Sequence, residues 1–192
     1  LVSDYEWRAW NPAGCEQGEL MFVRSHYDGG TYSTHLPFLM EAVRLTTGAV
    51  VELGCGDGST PALHEAVVRS GRRLVSVESD YEWMQKFAHL ACDGHVFESQ
   101  VDPARTSALA QDDLSVVFVD HAPGHTRKHA IERVKNKAEF VICHDSEDAG
   151  YGVFDVLETF KFKRHFRYAR PWTTVASMTR EIFDTPIPQE RT

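Results

Sequence analysis

The sequence predicts an α/β fold built on a doubly wound, mostly parallel sheet, and three observations carry that prediction. Short apolar runs alternate along the chain with helical stretches, the order expected of successive βαβ units. The run Ala49, Val50, Val51, Leu53 stops in three alternating glycines, Gly54, Gly56 and Gly58. A buried parallel strand reads as such an apolar run, and glycines straight after it let backbone amides approach a ligand at the start of the next helix. About twenty residues further on, a second run (Leu74, Val75, Val77) ends in Glu78, placed to accept hydrogen bonds from a ribose diol.

Taken in order, a helix over 36–46 precedes the first strand, 48–53. The glycine turn leads into a helix over 59–70, then a strand over 73–78 and a helix over 81–90. A strand over 95–98 and a helix over 103–110 follow. Ser115 to Val119 and Phe140 to Cys143 mark strands 115–120 and 139–144, with a helix over 126–136 between them and another near 152–160 after them. Phe166 to Tyr168 and Thr173 to Met178 read as two β segments joined tightly through Arg170, Pro171 and Trp172. The organisation expected is an N-terminal arm and helix over 1–47, one domain over 48–183, and an irregular tail over 184–192.

Composition agrees with one compact enzyme domain, since 192 residues, 42% of them hydrophobic, bury a single sizeable core. No run approaches the roughly 18 apolar residues of a membrane helix, and the start, Leu-Val-Ser-Asp-Tyr, lacks a basic region followed by an apolar one. Cys15, Cys55, Cys92 and Cys143 are scattered, which fits neither a zinc knuckle nor a disulfide framework and makes the reducing cytoplasm the expected setting. A net charge of −8 argues against a nucleic-acid partner. The cations concentrated in Lys161 to Arg170 are read as the solvated side of a strand.

Glycine spacing and charge discriminate among cofactors. A dinucleotide fingerprint has its third glycine three residues after the second, where this chain has Ser59. Glu52, Asp57 and Glu78 lie on or beside the loop, and no Arg or Lys occurs between Arg44 and Arg69. A diphosphate is repelled there, whereas a cationic sulfonium is favoured. S-adenosylmethionine, with adenosine, a positive sulfur and no phosphate, meets both conditions.

Glu52, Gly54, Gly56 and Gly58 resemble the first motif of the class I S-adenosylmethionine-dependent methyltransferases, an acidic residue followed by alternating glycines. The resemblance covers about 48 to 180 and implies a Rossmann-like, seven-stranded sheet closed by an antiparallel last strand. It implies cofactor contacts from Glu52, Gly54, Cys55, Gly56, Gly58, Ser59, Thr60, Glu78, Ser79, Tyr81 and Asp120. Of these, the glycine amides, Glu78 and the Tyr81 to Trp83 region face adenosine, and Glu52 and Asp120 the methionine end.

Chemistry is expected beyond the carboxyl ends of the strands. The fourth strand ends in Asp120, His121, Ala122, Pro123, Gly124 and His125, and the fifth in His144, Asp145, Ser146, Glu147 and Asp148. Asp120 and Asp145, at neighbouring strand ends, suit a hard cation such as Mg2+. This pattern resembles the metal-dependent O-methyltransferases of the catechol type, which carry Asp-His after the fourth strand and an Asp-led pair after the fifth. Two positions depart from it, because Ser146 stands where the family has an Asn ligand and Pro123 where it has its lysine. The base is therefore sought among His125, His121 and His144, with Asp120 assisting. Each reading has a structural counterpart: Asp120 or Asp145 as a helix cap or histidine partner, and His121 and His144 as satisfied core histidines. Zinc or iron lacks a short His-x-x-x-His spacing to support it.

For the acceptor, Tyr5, Trp7, Trp10, Phe22, Tyr27, Tyr32 and Phe38, interleaved with Arg24, His26 and His35, suggest an aromatic lid over the sheet's open end. A small-molecule or short-peptide acceptor, methylated at oxygen or nitrogen, is expected, with a homodimer adding walls to the site. An aminopropyltransferase-like enzyme, a nicotinamide oxidoreductase and a non-catalytic subunit of the same fold stay open as alternatives.

Overall fold

The computed structural model describes residues 33–167 and 169–183. The lid aromatics from Tyr5 to Tyr32, Cys15, Tyr168 and the 184–192 tail lie outside those residues.

Seven strands form one sheet in the order β3-β2-β1-β4-β5-β7-β6. They are β1 (Ala49–Leu53), β2 (Leu74–Glu78), β3 (His95–Ser99), β4 (Leu114–Val119), β5 (Phe140–His144), β6 (Phe162–Phe166) and β7 (Thr173–Ser177). β1 to β5 run parallel, and β7 lies antiparallel between β5 and β6. The order reverses between β1 and β4, so the ligand crevice of an open α/β sheet falls at their carboxyl ends.

Helices cover both faces: α1 (Leu36–Arg44), α2 (Ser59–Leu63) continuing as a π-helical turn (His64–Val68), α3 (Tyr81–Gln85), α4 (Arg127–Val134) and α5 (Val153–Glu158). One layer packs Val51, Leu53, Val117, Val119 and Val141 against Ile131, Val134 and Leu157. The other packs Val50, Val116, Phe118 and Ile142 against Phe38, Leu39, Leu63 and Val67. Successive strand residues point to opposite faces, and because both faces are covered, β1, β2, β4 and β5 are buried at every position. Among the described residues no helix is long and apolar enough to cross a membrane.

Four expectations change in detail. The helix expected over 103–110 is two 3-10 turns, Pro103–Arg105 and Ser107–Ala110, because the Asp102 and Thr106 side chains accept the Ala104 and Ala108 amides and restart the chain each time. The helix over 81–90 stops at Gln85 and resumes as a 3-10 turn at Ala88–Leu90. The sixth strand is Phe162–Phe166 rather than 166–168; an edge strand exposes a charged face, and Lys163 and Arg164 conceal its apolar ends. Phe38, expected in the lid, is a core ring stacked on Phe166 with centroids 3.7 Å apart.

Candidate functional site

Gly54 opens the loop after β1 with φ +94°. A Cβ there would lie 2.6 Å from the Asp120 carbonyl oxygen and 2.8 Å from His121 Cα, so only glycine lets the ends of β1 and β4 meet. The Cys55 amide donates to Glu78 Oε2 at 2.8 Å, and Trp83 Nε1 donates to the Cys55 carbonyl at 2.8 Å. Gly56 and Gly58 are less confined: a Cβ would meet Ser59 Oγ at 3.1 Å in the first case, a tight contact that a small side-chain shift relieves, and Leu36 Cδ1 at 3.4 Å, ordinary contact, in the second. Neither has a positive φ. The fold therefore does not require glycine at 56 or 58, and the openness suits a ligand pressed against the backbone.

Glu78 Oε1 accepts from the Ser79 and Asp80 amides at 2.7 and 2.9 Å and from Ser79 Oγ, while Oε2 accepts from Cys55. Three of these donors crowd Oε1 and only the Cys55 amide reaches Oε2, so Oε2 keeps a lone pair for a hydroxyl. Tyr81 is 60% exposed beside it, at the start of α3, which Asp80 caps by accepting the Trp83 amide.

Glu52 lies beneath the loop, fully buried. It accepts from Thr60 Oγ1 at 3.0 Å and Ser76 Oγ at 2.6 Å, and Thr60 Oγ1 in turn accepts the Gly56 amide at 2.9 Å. Through Thr60, Glu52 holds the loop from below rather than facing the crevice. Ser59 and Thr60 are likewise buried. The two buried thiols, Cys55 and Cys143, are pushed well up by burial, Cys143 to about 12.

At the ends of β4 and β5, Arg127 is 5% exposed and sits between both loops. Its Nε donates to the His121 carbonyl at 2.8 Å and its Nη1 to the His144 carbonyl at 3.0 Å. Its Nη2 reaches Asp120 Oδ1 at 3.1 Å and its Nη1 reaches Asp145 Oδ2 at 3.3 Å. Asp120 Oδ2 faces His144 Nδ1 at 3.2 Å. Burial pushes Asp120 upward, but the His144 hydrogen bond and the charges of His144 and Arg127 outweigh it and hold the carboxyl below its ordinary range. Asp145, at φ +53°, is raised by burial, with Asp120 adding to the effect.

Thr34 Oγ1 donates to the Pro171 carbonyl at 2.7 Å and lies 3.1 Å from His144 Nε2, so it accepts that ring proton. His35 is buried against Phe118 and His144, with ring centroids 4.6 and 4.5 Å away. Among the described residues neither of its nitrogens has a hydrogen-bond partner, and burial, then the nearby His144, pushes it down to about 3.

The three other predicted positions separate. His121 is buried with Nε2 on Thr126 Oγ1 at 3.1 Å, bracing the turn, and burial pushes it down to about 4. His125 is exposed on the Gly124–Thr126 turn. Ser146 turns into β7, where its Oγ accepts from Thr174 Oγ1 at 2.8 Å. Sequence reasoning missed Arg127 and gave His35 only to the lid.

Solved structures sharing this architecture are methyltransferases. One from Geobacter sulfurreducens superposes with a TM-score of 0.56 at 18% identity, over 76% of this chain and 77% of that one. An SAH-bound methyltransferase of Podospora anserina gives 0.54 at 12% identity, over 74% and 76%. Human methyltransferase-like protein 13, in complex with SAH, gives 0.51 at 16% identity, over 79% and 82%. The chain has the class I methyltransferase fold. No family model matches it, and no curated protein matches it in sequence.

Within this methyltransferase fold, the catechol-type resemblance implies Mg2+ on Asp120 and Asp145, and the residues present do not fit that ion. A buried guanidinium already bridges the two carboxylates and supplies the positive charge, and the Ser146 hydroxyl is engaged by β7.

The floor of the crevice is itself pH-sensitive. Burial raises Glu52 from 4.5 to about 7, with hydroxyl donors only partly opposing it. A carboxyl raised on folding stabilises the fold fully below its unfolded value of 4.5 and loses that contribution as pH rises through about 7. Glu52→Gln, which stays neutral, is therefore expected to gain stability relative to the parent by up to about 3 kcal/mol across that window, at about 1.4 kcal/mol per unit. Urea midpoints of both proteins from pH 5 to pH 8 test this, and a constant difference between them rules it out.

Proposed function

We propose that the chain is an S-adenosylmethionine-dependent methyltransferase acting on a small-molecule or short-peptide acceptor at oxygen or nitrogen. The observation that carries this reading is the pairing of the open Gly56–Gly58 stretch with Glu78, whose carboxylate is tied to the same loop through Cys55. Two of the similar structures bind SAH, the product left when S-adenosylmethionine has given up its methyl group.

Bound S-adenosylmethionine supplies an electrophilic methyl on a positive sulfur. Toward it, Glu78 Oε2 offers the free acceptor for a ribose hydroxyl, and the bare backbone at Gly56 and Gly58 admits the ligand at close range. Asp120, held ionised by Arg127 and His144, stabilises positive charge in the crevice and disfavours a diphosphate. Positioning of the acceptor against the methyl does most of the catalytic work. The net charge of −8 supports a small acceptor over a nucleic acid.

Calorimetric titration with S-adenosylmethionine and with NAD, on the parent and on Gly56→Val, tests the reading. The parent is expected to bind the first at micromolar Kd and not the second. Gly56→Val is expected to lose about 100-fold in affinity, or about 2.7 kcal/mol, with a smaller loss of stability than Gly54→Ala, since its Cβ meets a side-chain atom, Ser59 Oγ at 3.1 Å, rather than backbone. NAD binding, or equal S-adenosylmethionine affinity in both proteins, defeats the reading.

A further inference from the structure

We propose that His35, Asp120 and His144 form a site for a divalent cation of borderline softness, of the zinc, cobalt and iron(II) class. A ring nitrogen of each histidine and a carboxylate oxygen of Asp120 lie within 4.8 Å of one another. His144 Nδ1 and Asp120 Oδ2 are 3.2 Å apart, which matches ligands on one ion, because metal bonds of about 2.0–2.2 Å at tetrahedral to right angles separate ligand atoms by about 3–3.5 Å. As they stand the two are hydrogen-bonded, and the same separation serves two ligands once the Nδ1 proton leaves; His35, within 4.8 Å of both, completes the set by moving inward.

His35 is the observation that points to a ligand. Its relative exposure is 4%, and both nitrogens lack a partner among the described residues. Leaving a buried polar group unsatisfied costs about 1–3 kcal/mol, and polar groups stranded in this way mark a strain reservoir, a functional role or an absent ion. A neutral imidazole against Asp120 and His144 presents the lone pair that a metal takes.

His144 has the outer arrangement typical of a ligating histidine. Its Nε2–H is held by Thr34 Oγ1, itself anchored on the Pro171 carbonyl, which aims Nδ1 at Asp120. Metal-bound histidines are oriented by such a hydrogen bond on the far nitrogen. Once His144 gives up its Nδ1 proton to become a ligand, Asp120 and Asp145 bring two negative charges against the single charge of Arg127, so the incoming cation meets an excess of negative charge. The Asp120 side chain is 25% exposed and gives the entry path. Two imidazoles and one carboxylate favour borderline ions over magnesium or calcium, and three protein ligands leave coordination positions open, as in catalytic rather than structural sites.

The site shares Asp120 with the cofactor crevice, so it is tested on its own, without S-adenosylmethionine present. The full chain, without a polyhistidine tag and stripped by chelator, is titrated with Co2+ and its visible d–d absorption recorded, then with Zn2+ and Mg2+ as competitors. One Co2+ per chain is expected, displaced by Zn2+ and not by Mg2+. His35→Gln is expected to weaken binding by about 100-fold or more, and Thr34→Val by about 10–100-fold, with near-ultraviolet circular dichroism confirming that each variant is folded. Thr34→Val carries the test if His35→Gln does not fold. Absence of stoichiometric Co2+ binding by the folded parent overturns the proposal. So does a thiolate-to-cobalt band from exposed Cys92 in place of the nitrogen–oxygen spectrum, or an affinity that neither substitution changes.

Discussion

Replacing Arg127 with Met is expected to destabilise the protein by about 3–5 kcal/mol, the range for removing one partner of a buried ion pair. The guanidinium is 5% exposed and makes bonds to the His121 and His144 carbonyls and to Asp120 and Asp145. Its Cζ also lies over the Tyr151 ring, 4.5 Å from the centroid. Methionine, smaller and uncharged, leaves two carbonyls without a donor and two neighbouring carboxylates without the guanidinium that bridges them. Arg127→Lys keeps the charge and loses the planar fork, so it falls between parent and Met variant. Adding Asp120→Asn to Arg127→Met removes part of the uncompensated charge and restores some of the loss. Urea midpoints of the four proteins at neutral pH decide the matter, and a loss below about 1 kcal/mol in Arg127→Met refutes the bridging role.

The legible parts of the sequence were those where local pattern and tertiary role agree. β1, β2, β4 and β5 are runs of Val, Leu, Ile and Phe because helices bury both their faces, and the glycine loop after β1 shows plainly against them. β6 was misplaced because an edge strand carries charge that interrupts its apolar signal. The site was less legible, because its residues come from three separated stretches of chain. Two local misfits nevertheless marked it. Arg127 opens α4, where the helix dipole disfavours a cation, and His35 occupies the N-cap of α1 without making a capping bond, where Ser, Thr, Asp or Asn is usual. Residues that violate local preference concentrate at functional sites. His35 was also placeable by topology, since a helix that leads into a strand and packs on the sheet runs antiparallel to it, which sets its N-terminus at the strand's carboxyl end. The packing of His35 on Phe118 and His144 agrees.

Gly54→Ala is expected to act on folding where Gly56→Val acts on ligand binding, although the two glycines are separated by a single residue. At φ +94° an alanine is strained in itself, at about 1–3 kcal/mol. Its methyl carbon would also stand 2.6 Å from the Asp120 carbonyl oxygen, 2.7 Å from its carbon and 2.8 Å from His121 Cα. These are backbone atoms, so no rotamer change relieves the contact. They are held in place because the Gly54 amide donates to the Val77 carbonyl and the Asp120 amide to the Leu53 carbonyl, both at 2.8 Å. Forcing β1 and β4 apart disrupts a well-packed core at about 1–3 kcal/mol more, for a total of about 2–6 kcal/mol. Because native domains are stable by only about 5–15 kcal/mol, the variant should unfold at markedly lower temperature, with S-adenosylmethionine affinity falling as Asp120 is displaced. If Gly54→Ala instead melts with the parent and only Gly56→Val loses its fold, the division of labour between the two glycines is the reverse of the one the close approach of Asp120 requires.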